Sequence, residues 1–208
     1  DEYGAREVVS NQARLSLDRP RFMQSGGKNL SKAEIGSAMH TLMQHIPLQK
    51  LWDDSSLQEF IQELVMKETL TEEEGEAIDR DAILRLFSSE VGSMLGRAKS
   101  IEREIPFTME VQASDIYPDW EDPTEESVLV QGVIDCLIQT EDGYELLDYK
   151  TDTITGELTE EKINQLRQRY ETQVELYQKA VESIMNIELD HVYLYFFDKD
   201  LLIDTNRE

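Results

Sequence analysis

The sequence has very few of the residues that stabilise a chain covalently or anchor it in a membrane. Cys136 is the only cysteine among the 208 residues, which excludes an intramolecular disulfide, a four-cysteine zinc site and a four-cysteine iron–sulfur cluster within the chain. No apolar run approaches the roughly 20 residues that a membrane-spanning helix needs, and no stretch resembles a secretory signal. We therefore expect a cytoplasmic protein without membrane contact. The chain starts at Asp1 rather than at a methionine, and we expect it to be part of a longer polypeptide.

Basic side chains are also scarce, and their distribution is uneven. The 20 Lys and Arg residues face 44 Asp and Glu residues, and the resulting charge of −24 argues against gripping nucleic acid by bulk positive charge. Residues 51–90 have three basic and twelve acidic side chains, and residues 102–127 have one and nine. Residues 1–50 carry +2 and residues 160–180 are neutral. We expect the two acidic blocks to form outward faces or docking surfaces.

The apolar content of 39% and the aromatic content of 8% indicate a globular domain rather than a disordered acidic segment. The first 30 residues show no sustained period and are interpreted as a linker or arm, and 31–208 as one domain in which 51–99 form a helical, acidic region. The patterns predict helices over 31–47, 57–67, 71–87, 90–98 and 159–185, and strands over 105–111, 128–139, 144–149 and 191–197. This order predicts an α/β fold, a small mixed central sheet flanked by helices, with a helical portion at the N-terminal side.

The most informative residues lie on two adjacent predicted strands. Asp148 and Lys150 are two positions apart, so their side chains point to the same face, with Tyr149 on the other. A turn at Gly143 pairs this strand with the preceding one, which brings Asp135 towards Asp148. Two such carboxylates suit a hard divalent cation that ionises a water, and the Lys150 ammonium could position that water or stabilise a phosphate. A structural ion pair between Asp148 and Lys150 is the alternative on these residues alone.

Two helical positions add to this pattern. His40 follows a run of small residues on the first predicted helix, where its imidazole could reach a metal, although a lone helical histidine is more often structural. Gln173 and Tyr177 are spaced i,i+4 on the long helix, with Arg169 on the same face. An amide, a phenol and a cation together suit contacts with a DNA backbone. The alternative for Tyr177 is a place in the core.

Taken in order, these pieces resemble a known family. His40 after small residues, Gly-Val-Ile-Asp135, Asp148-Tyr-Lys150-Thr and Gln173 four residues before a tyrosine are similar to the motifs of the RecB-type branch of the PD-(D/E)XK nucleases. Their wording is similar to that of AddA-type C-terminal nuclease domains. The resemblance covers about residue 31 to the C-terminus, and an isoleucine rather than a proline precedes Asp135. It implies a restriction-endonuclease-like core and a Mg²⁺-dependent deoxyribonuclease in which Mn²⁺ can substitute.

The resemblance also implies roles at the metal and at the reacting phosphate. His40, Asp135 and Asp148 would bind the divalent ion, with the main-chain carbonyl of Tyr149 as a further ligand. Lys150 would be the catalytic lysine, acting together with the two aspartates. In the related AddB-type domains four cysteines hold an iron–sulfur cluster, and because this chain has one cysteine, we expect no cluster in it.

Further positions are carried over from the helix and from the first strand. Gln173 and Tyr177 match the helix motif that contacts DNA and supports the site in this family. Arg169 is assigned to the same contact from its position on the helix. Glu104, at the start of the strand 104–107, resembles another recurring acid of this branch.

The same resemblance implies partners. It predicts a helicase portion in the same polypeptide, a second, AddB-like protein, and DNA, one strand of which is unwound by a motor and degraded exonucleolytically in double-strand-break repair and recombination in the bacterial cytoplasm. The chain has no Gly-x-x-x-x-Gly-Lys-Ser/Thr loop, so a motor of that type would lie outside it. The alternative from another class is a non-catalytic acidic module that docks proteins or mimics DNA, which the charge of −24 favours.

Overall fold

A five-stranded mixed sheet lies between two layers of helices in the computed structural model of the chain, which describes residues 30–113 and 126–206. The predicted arm, 1–30, lies outside the described residues except for its last position. The elements are α1 (Lys32–His45), α2 (Asp54–Met66), α3 (Glu72–Ala77), α4 (Arg80–Ser88), α5 (Glu90–Arg97), β1 (Ser100–Gln112), β2 (Ser127–Gln139), β3 (Tyr144–Lys150), α6 (Glu160–Ala180), β4 (His191–Phe196) and β5 (Leu201–Asp204). A π-helical turn, Val181–Met185, extends α6.

Short polar side chains determine where α1 and α3 begin. Ser31 Oγ accepts a hydrogen bond from the Glu34 main-chain N–H, and the Glu34 carboxylate accepts one from the Ser31 N–H. Thr71 and Glu74 form the same reciprocal pair at α3. These bonds satisfy N–H groups that have no partner inside the helix. Both predicted helix starts are confirmed.

Three predicted boundaries need correction. The helix predicted over 71–87 is two helices, because Asp79 accepts the Ala82 N–H at 2.9 Å and begins α4. The strand predicted over 105–111 is longer and begins at Ser100. Strand β5 has no counterpart among the predicted strands, because its four residues are too few to show alternation.

The strands lie in the sheet in chain order, β1 to β5. Strands β1, β2 and β3 form antiparallel neighbours, whereas β3 and β4 run parallel and are joined by α6. Strand β5 returns antiparallel beside β4. Strand β3 is therefore central, and its last five residues, Leu146 to Lys150, are all buried. The predicted α/β architecture is confirmed.

The sheet buries a different core on each face. On one face, α1 to α5 pack residues such as Leu42 against Tyr149 of β3. On the other, α6 packs residues such as Val174 against Leu194 of β4. The alternation predicted for β3 is confirmed, because Tyr149 faces the first core while Lys150 contacts α6. The end of β3 thus lies between α1 on one side and α6 on the other.

The acidic block at 51–90 covers the outside of the first helical layer. Eleven of its twelve acidic residues are exposed and Glu74 is half-buried, as expected for an outward face. The block at 102–127 is described only in part, and within it Glu104 is half-buried rather than exposed. In the described ranges, no helix combines the length and the apolar character needed to cross a bilayer.

Candidate active site

Lys150 and Asp148 lie together at the buried end of β3, with 7% and 2% of their surfaces exposed. Lys150 Nζ is 2.6 Å from Asp148 Oδ2 and donates a hydrogen bond to Gln173 Oε1 at 2.7 Å. Gln173 Nε2 donates in turn to the Tyr177 hydroxyl at 2.6 Å. The Tyr177 ring packs edge-on against Phe107 in the core. Because both α6 side chains are buried, their position fits support of the lysine rather than direct contact with DNA.

Helix α1 brings His40 to the same end of the sheet. His40 Nδ1 is 3.5 Å from Asp135 Oδ2, the oxygen that also accepts the Tyr149 main-chain N–H at 2.9 Å. The helix can lie this close to the end of β3 because Gly36 has no side chain, and a Cβ there would lie 2.7 Å from Thr151 Oγ1. The close packing predicted for the small residues before His40 is confirmed.

A side chain at Gly36 is expected to destabilise the protein through this contact. Although alanine favours a helix by about 1 kcal/mol over glycine, the Gly36→Ala variant is expected to lose about 1 kcal/mol or more of unfolding free energy, because its methyl group overlaps Thr151. In a Thr151→Ala background the loss should largely disappear. Gly96→Ala on α5 is the matched control, since nothing lies within 4 Å of a Cβ there. Urea unfolding of the four variants measures this, and equal effects at Gly36 and Gly96 would contradict the packing argument.

The β1–β2 ladder is interrupted opposite Asp135. The register that pairs Arg103 with Cys136 continues beyond the interruption, which places Glu104 across from Asp135. Glu104 has a φ of 53°, in the left-handed region that non-glycine residues rarely occupy. At this point both strands turn their side chains from the α1–α5 face to the α6 face. Such local strain is found preferentially at functional sites, and here it brings Glu104 to the acidic side of the site.

Negative charge exceeds positive charge among these residues. Burial raises the pKa of Asp148 to about 6, an effect that Lys150 opposes and Asp135 reinforces. Burial also raises the pKa of Glu104, and the charge of Asp135 adds to the shift. For His40, burial lowers the pKa, but the hydrogen bond and charge of Asp135 outweigh it, so that the net shift is upward. A bound cation would relieve the repulsion that these shifts report.

The donor set fits a divalent metal in its chemistry, although it is not assembled as a cage. Among the described residues, no three His, Cys, Asp or Glu side chains lie close enough together to hold an ion. His40 is instead joined to Asp135, and Asp148 to Lys150. Asp148 Oδ2 is buried and makes no hydrogen bond to any described residue, so it remains available as a ligand. Two carboxylates and an imidazole are donors that Mg²⁺ or Mn²⁺ can accept, and the Tyr149 carbonyl remains a predicted further ligand.

Two residues that the sequence analysis does not single out also belong to this region. The ring of Tyr170 lies beside Lys150, and its hydroxyl donates to Asp152 Oδ2 at 2.7 Å. Asp152 also pairs with Arg169 at 3.1 Å, and the Arg169 side chain is 62% exposed. The predicted Arg169 is thus near the site, at its surface. The signal for Tyr170 was its spacing of three residues from Gln173 on the same helical stripe.

Comparison with known proteins identifies the family. The sequence profile of the PD-(D/E)XK nuclease superfamily matches residues 12–202. The chain belongs to this superfamily. Its restriction-endonuclease-like fold, a mixed sheet with helices on both faces, agrees with that membership.

Individual relatives are named as the AddA subunit of an ATP-dependent helicase/nuclease. The chain is 48% identical to the protein of that name from Bacillus licheniformis over 204 residues, which is 95% of the chain and 16% of the relative. It is 39% identical to the one from Oceanobacillus iheyensis over 205 residues, 99% of the chain and 16% of the relative. The predicted resemblance to PD-(D/E)XK nucleases and to AddA is confirmed. The chain spans only about a sixth of the length of these relatives.

Proposed function

We propose that the chain is a metal-dependent DNA nuclease domain that hydrolyses phosphodiester bonds. The observation that carries the proposal is the buried pair of Asp148 and Lys150, held by Gln173 and adjacent to the strand that carries Asp135. A buried ion pair contributes little to stability compared with apolar residues of the same volume. Its presence next to the strained backbone of Glu104 therefore favours a functional role over a purely structural one.

In this proposal each residue of the site has a separate task. His40, Asp135, Asp148 and the Tyr149 carbonyl would hold Mg²⁺, for which Mn²⁺ can substitute. When bound, the ion would lower the pKa of a coordinated water and stabilise negative charge on the phosphate. The Lys150 ammonium would donate to the attacking water or to a phosphate oxygen, from a position fixed by its buried partners. Exclusion of bulk water from the end of β3 would strengthen both interactions.

We further propose that this domain belongs to a larger helicase–nuclease. The name of the relatives and the small share of their length that the chain covers support a helicase portion in the same polypeptide. We propose that a second, AddB-like protein forms a complex with it in the bacterial cytoplasm, and that the domain degrades one unwound strand exonucleolytically in double-strand-break repair and recombination. The exposed acids of 51–90 fit delivery of DNA by a motor rather than capture by this surface.

The acidic-module alternative has less support. A protein that mimics DNA needs carboxylates on its surface, and the acids of 51–90 meet that requirement. It does not need a lysine that is 7% exposed beside a carboxylate that is 2% exposed. Membership in a nuclease superfamily also favours the catalytic proposal.

The proposal is tested by metal binding and cleavage in matched variants. Calorimetric titration with Mn²⁺ is expected to give a stoichiometric site in the wild type, weakened more than about tenfold in Asp135→Asn, because a carboxylate ligand is replaced by a neutral amide. Asp142→Asn, at an exposed turn position, should bind as the wild type does. Linear single-stranded oligonucleotides, labelled at either end, should be degraded with Mg²⁺ and left intact with EDTA.

The outcomes separate the parts of the proposal. A wild-type protein that binds no Mn²⁺ and cleaves no DNA in the presence of either metal would overturn the nuclease assignment. Circular single-stranded DNA tests the exonucleolytic part, because it offers no end. Rapid cleavage of circles would retain the nuclease and contradict an exonuclease.

A further inference from the structure

The Lys150 ammonium has an aromatic neighbour besides its two oxygen neighbours. The centroid of the Tyr170 ring lies 4.2 Å from Nζ, a distance at which the face of a ring attracts a cation. Asp148 Oδ2 and Gln173 Oε1 lie at 2.6 and 2.7 Å. Tyr170 is buried, so this contact is shielded from water. The ring thus forms one wall of the space in which the ammonium can move.

Tyr170 is itself held by contacts to a single carboxylate. Its hydroxyl donates to Asp152 Oδ2 at 2.7 Å, while Asp152 Oδ1 pairs with Arg169 Nη2 at 3.1 Å. The ring also packs against Phe196 of β4. Asp152 follows Lys150 by two positions, and Arg169 directly precedes Tyr170. The carboxylate therefore joins the segment that follows β3 to α6 at two points, and closes a loop of contacts that returns to the lysine.

We propose that Tyr170 is a positioning residue for Lys150, and that Asp152 in turn positions Tyr170. The inference rests on the proposed function, since it supposes that Lys150 acts on the water or the phosphate. An aromatic face attracts an ammonium but accepts no proton from it, unlike a third carboxylate. The ring therefore restricts where Nζ can lie without neutralising it. The N–H groups of Lys150 remain available to turn towards the substrate.

The test compares two substitutions of Tyr170 in steady-state cleavage of a single-stranded oligonucleotide. Tyr170→Leu removes the ring and is expected to lower kcat roughly 10- to 30-fold, with KM within about threefold of wild type, because the effect is on the lysine and not on DNA binding. Tyr170→Phe keeps the ring and should retain at least about a third of wild-type kcat. Asp152→Asn should fall between these two. Tyr144→Leu, at the other end of β3, is the control and should leave kcat unchanged.

A spectroscopic measurement tests the contact separately from catalysis. In protein labelled with ¹³C at lysine Cε, the signal that Lys150→Met removes is expected to be shifted by the Tyr170 ring current. The shift should remain in Tyr170→Phe and disappear in Tyr170→Leu. Tyr170→Met replaces the leucine variant if that variant does not fold, as judged by thermal unfolding.

The possible results distinguish this inference from the proposed function. A wild type that cleaves, together with a Tyr170→Leu variant of equal kcat, would overturn the positioning role alone. Equal losses of kcat in the Phe and Leu variants would also overturn it, because the ring would then not matter. A wild type without activity would contradict the proposed function, and an unshifted lysine signal would still overturn the ring contact.

Discussion

Replacing Lys150 with methionine is expected to lower the rate of DNA cleavage roughly 10²- to 10⁴-fold, the range found when a proton-transfer group or a charge-stabilising donor is removed. Methionine fills a similar volume, so the buried end of β3 should remain packed. The ammonium that contacts Asp148 and Gln173 is lost. Single-turnover cleavage of a labelled single strand with saturating Mg²⁺ measures the effect directly.

Lys67→Met provides the control for this change. Lys67 is exposed on α2 and pairs only with its own helix, through Glu63, so its replacement should cost no more than about 0.5 kcal/mol and leave cleavage unchanged. Circular dichroism should give the same helical signal for both variants. Wild-type cleavage by Lys150→Met would remove the central residue of the proposed mechanism.

The same variant has an expected effect on stability that depends on pH. The pKa of Asp148 is about 6 because of burial, and the Lys150 charge holds it lower than burial alone would. Removing that charge raises the pKa further. A carboxyl whose pKa is higher in the folded than in the unfolded state, where it is about 3.9, loses stability as pH rises through that interval. The unfolding free energy of metal-free Lys150→Met should therefore fall more steeply than that of the wild type above about pH 4.

Local signals in the sequence were sufficient for most of the fold. Capping pairs such as Ser31 with Glu34 are encoded within four residues, and they predict a helix start without knowledge of the rest of the chain. The alternation of β3 likewise predicts that Tyr149 faces away from Lys150. The division of 71–87 into two helices was not predictable from periodicity, because the apolar spacing continues across Asp79 while the backbone does not.

The site was predictable as a set of residues but not as a set of contacts. His40 and Asp135 are 95 positions apart, and the motif order does not give the 3.5 Å between Nδ1 and Oδ2. The partners of Lys150 come from β3 and from α6, and only the tertiary fold places them around one nitrogen. The left-handed φ of Glu104 was equally hidden, since no glycine or asparagine marks that position. Long-range packing decides these features, and short-range pattern does not report it.

Asp148→Asn is expected to abolish both cleavage and stabilisation by metal. The substitution keeps the size of the side chain and removes the buried charge that faces Lys150. In the wild type, Mn²⁺ at about 100 times its Kd should raise the unfolding free energy by about 2.7 kcal/mol through mass action, because the ion binds only the folded state. In Asp148→Asn that gain should fall below about 1 kcal/mol, since the weakened site is no longer saturated. Thermal unfolding with and without Mn²⁺ measures the difference, with Asp142→Asn as the exposed control.

The double variant of Asp148→Asn and Lys150→Met tests whether the two residues act as one unit. Residues that act together show strongly non-additive losses, because removing the second has no further step to disable. The double variant is therefore expected to cleave DNA no more slowly than the slower single variant, within about threefold. Losses that multiply would mean that Asp148 and Lys150 contribute independently. The 2.6 Å contact between them would then be a structural ion pair, and the case for a single catalytic device at the end of β3 would fail.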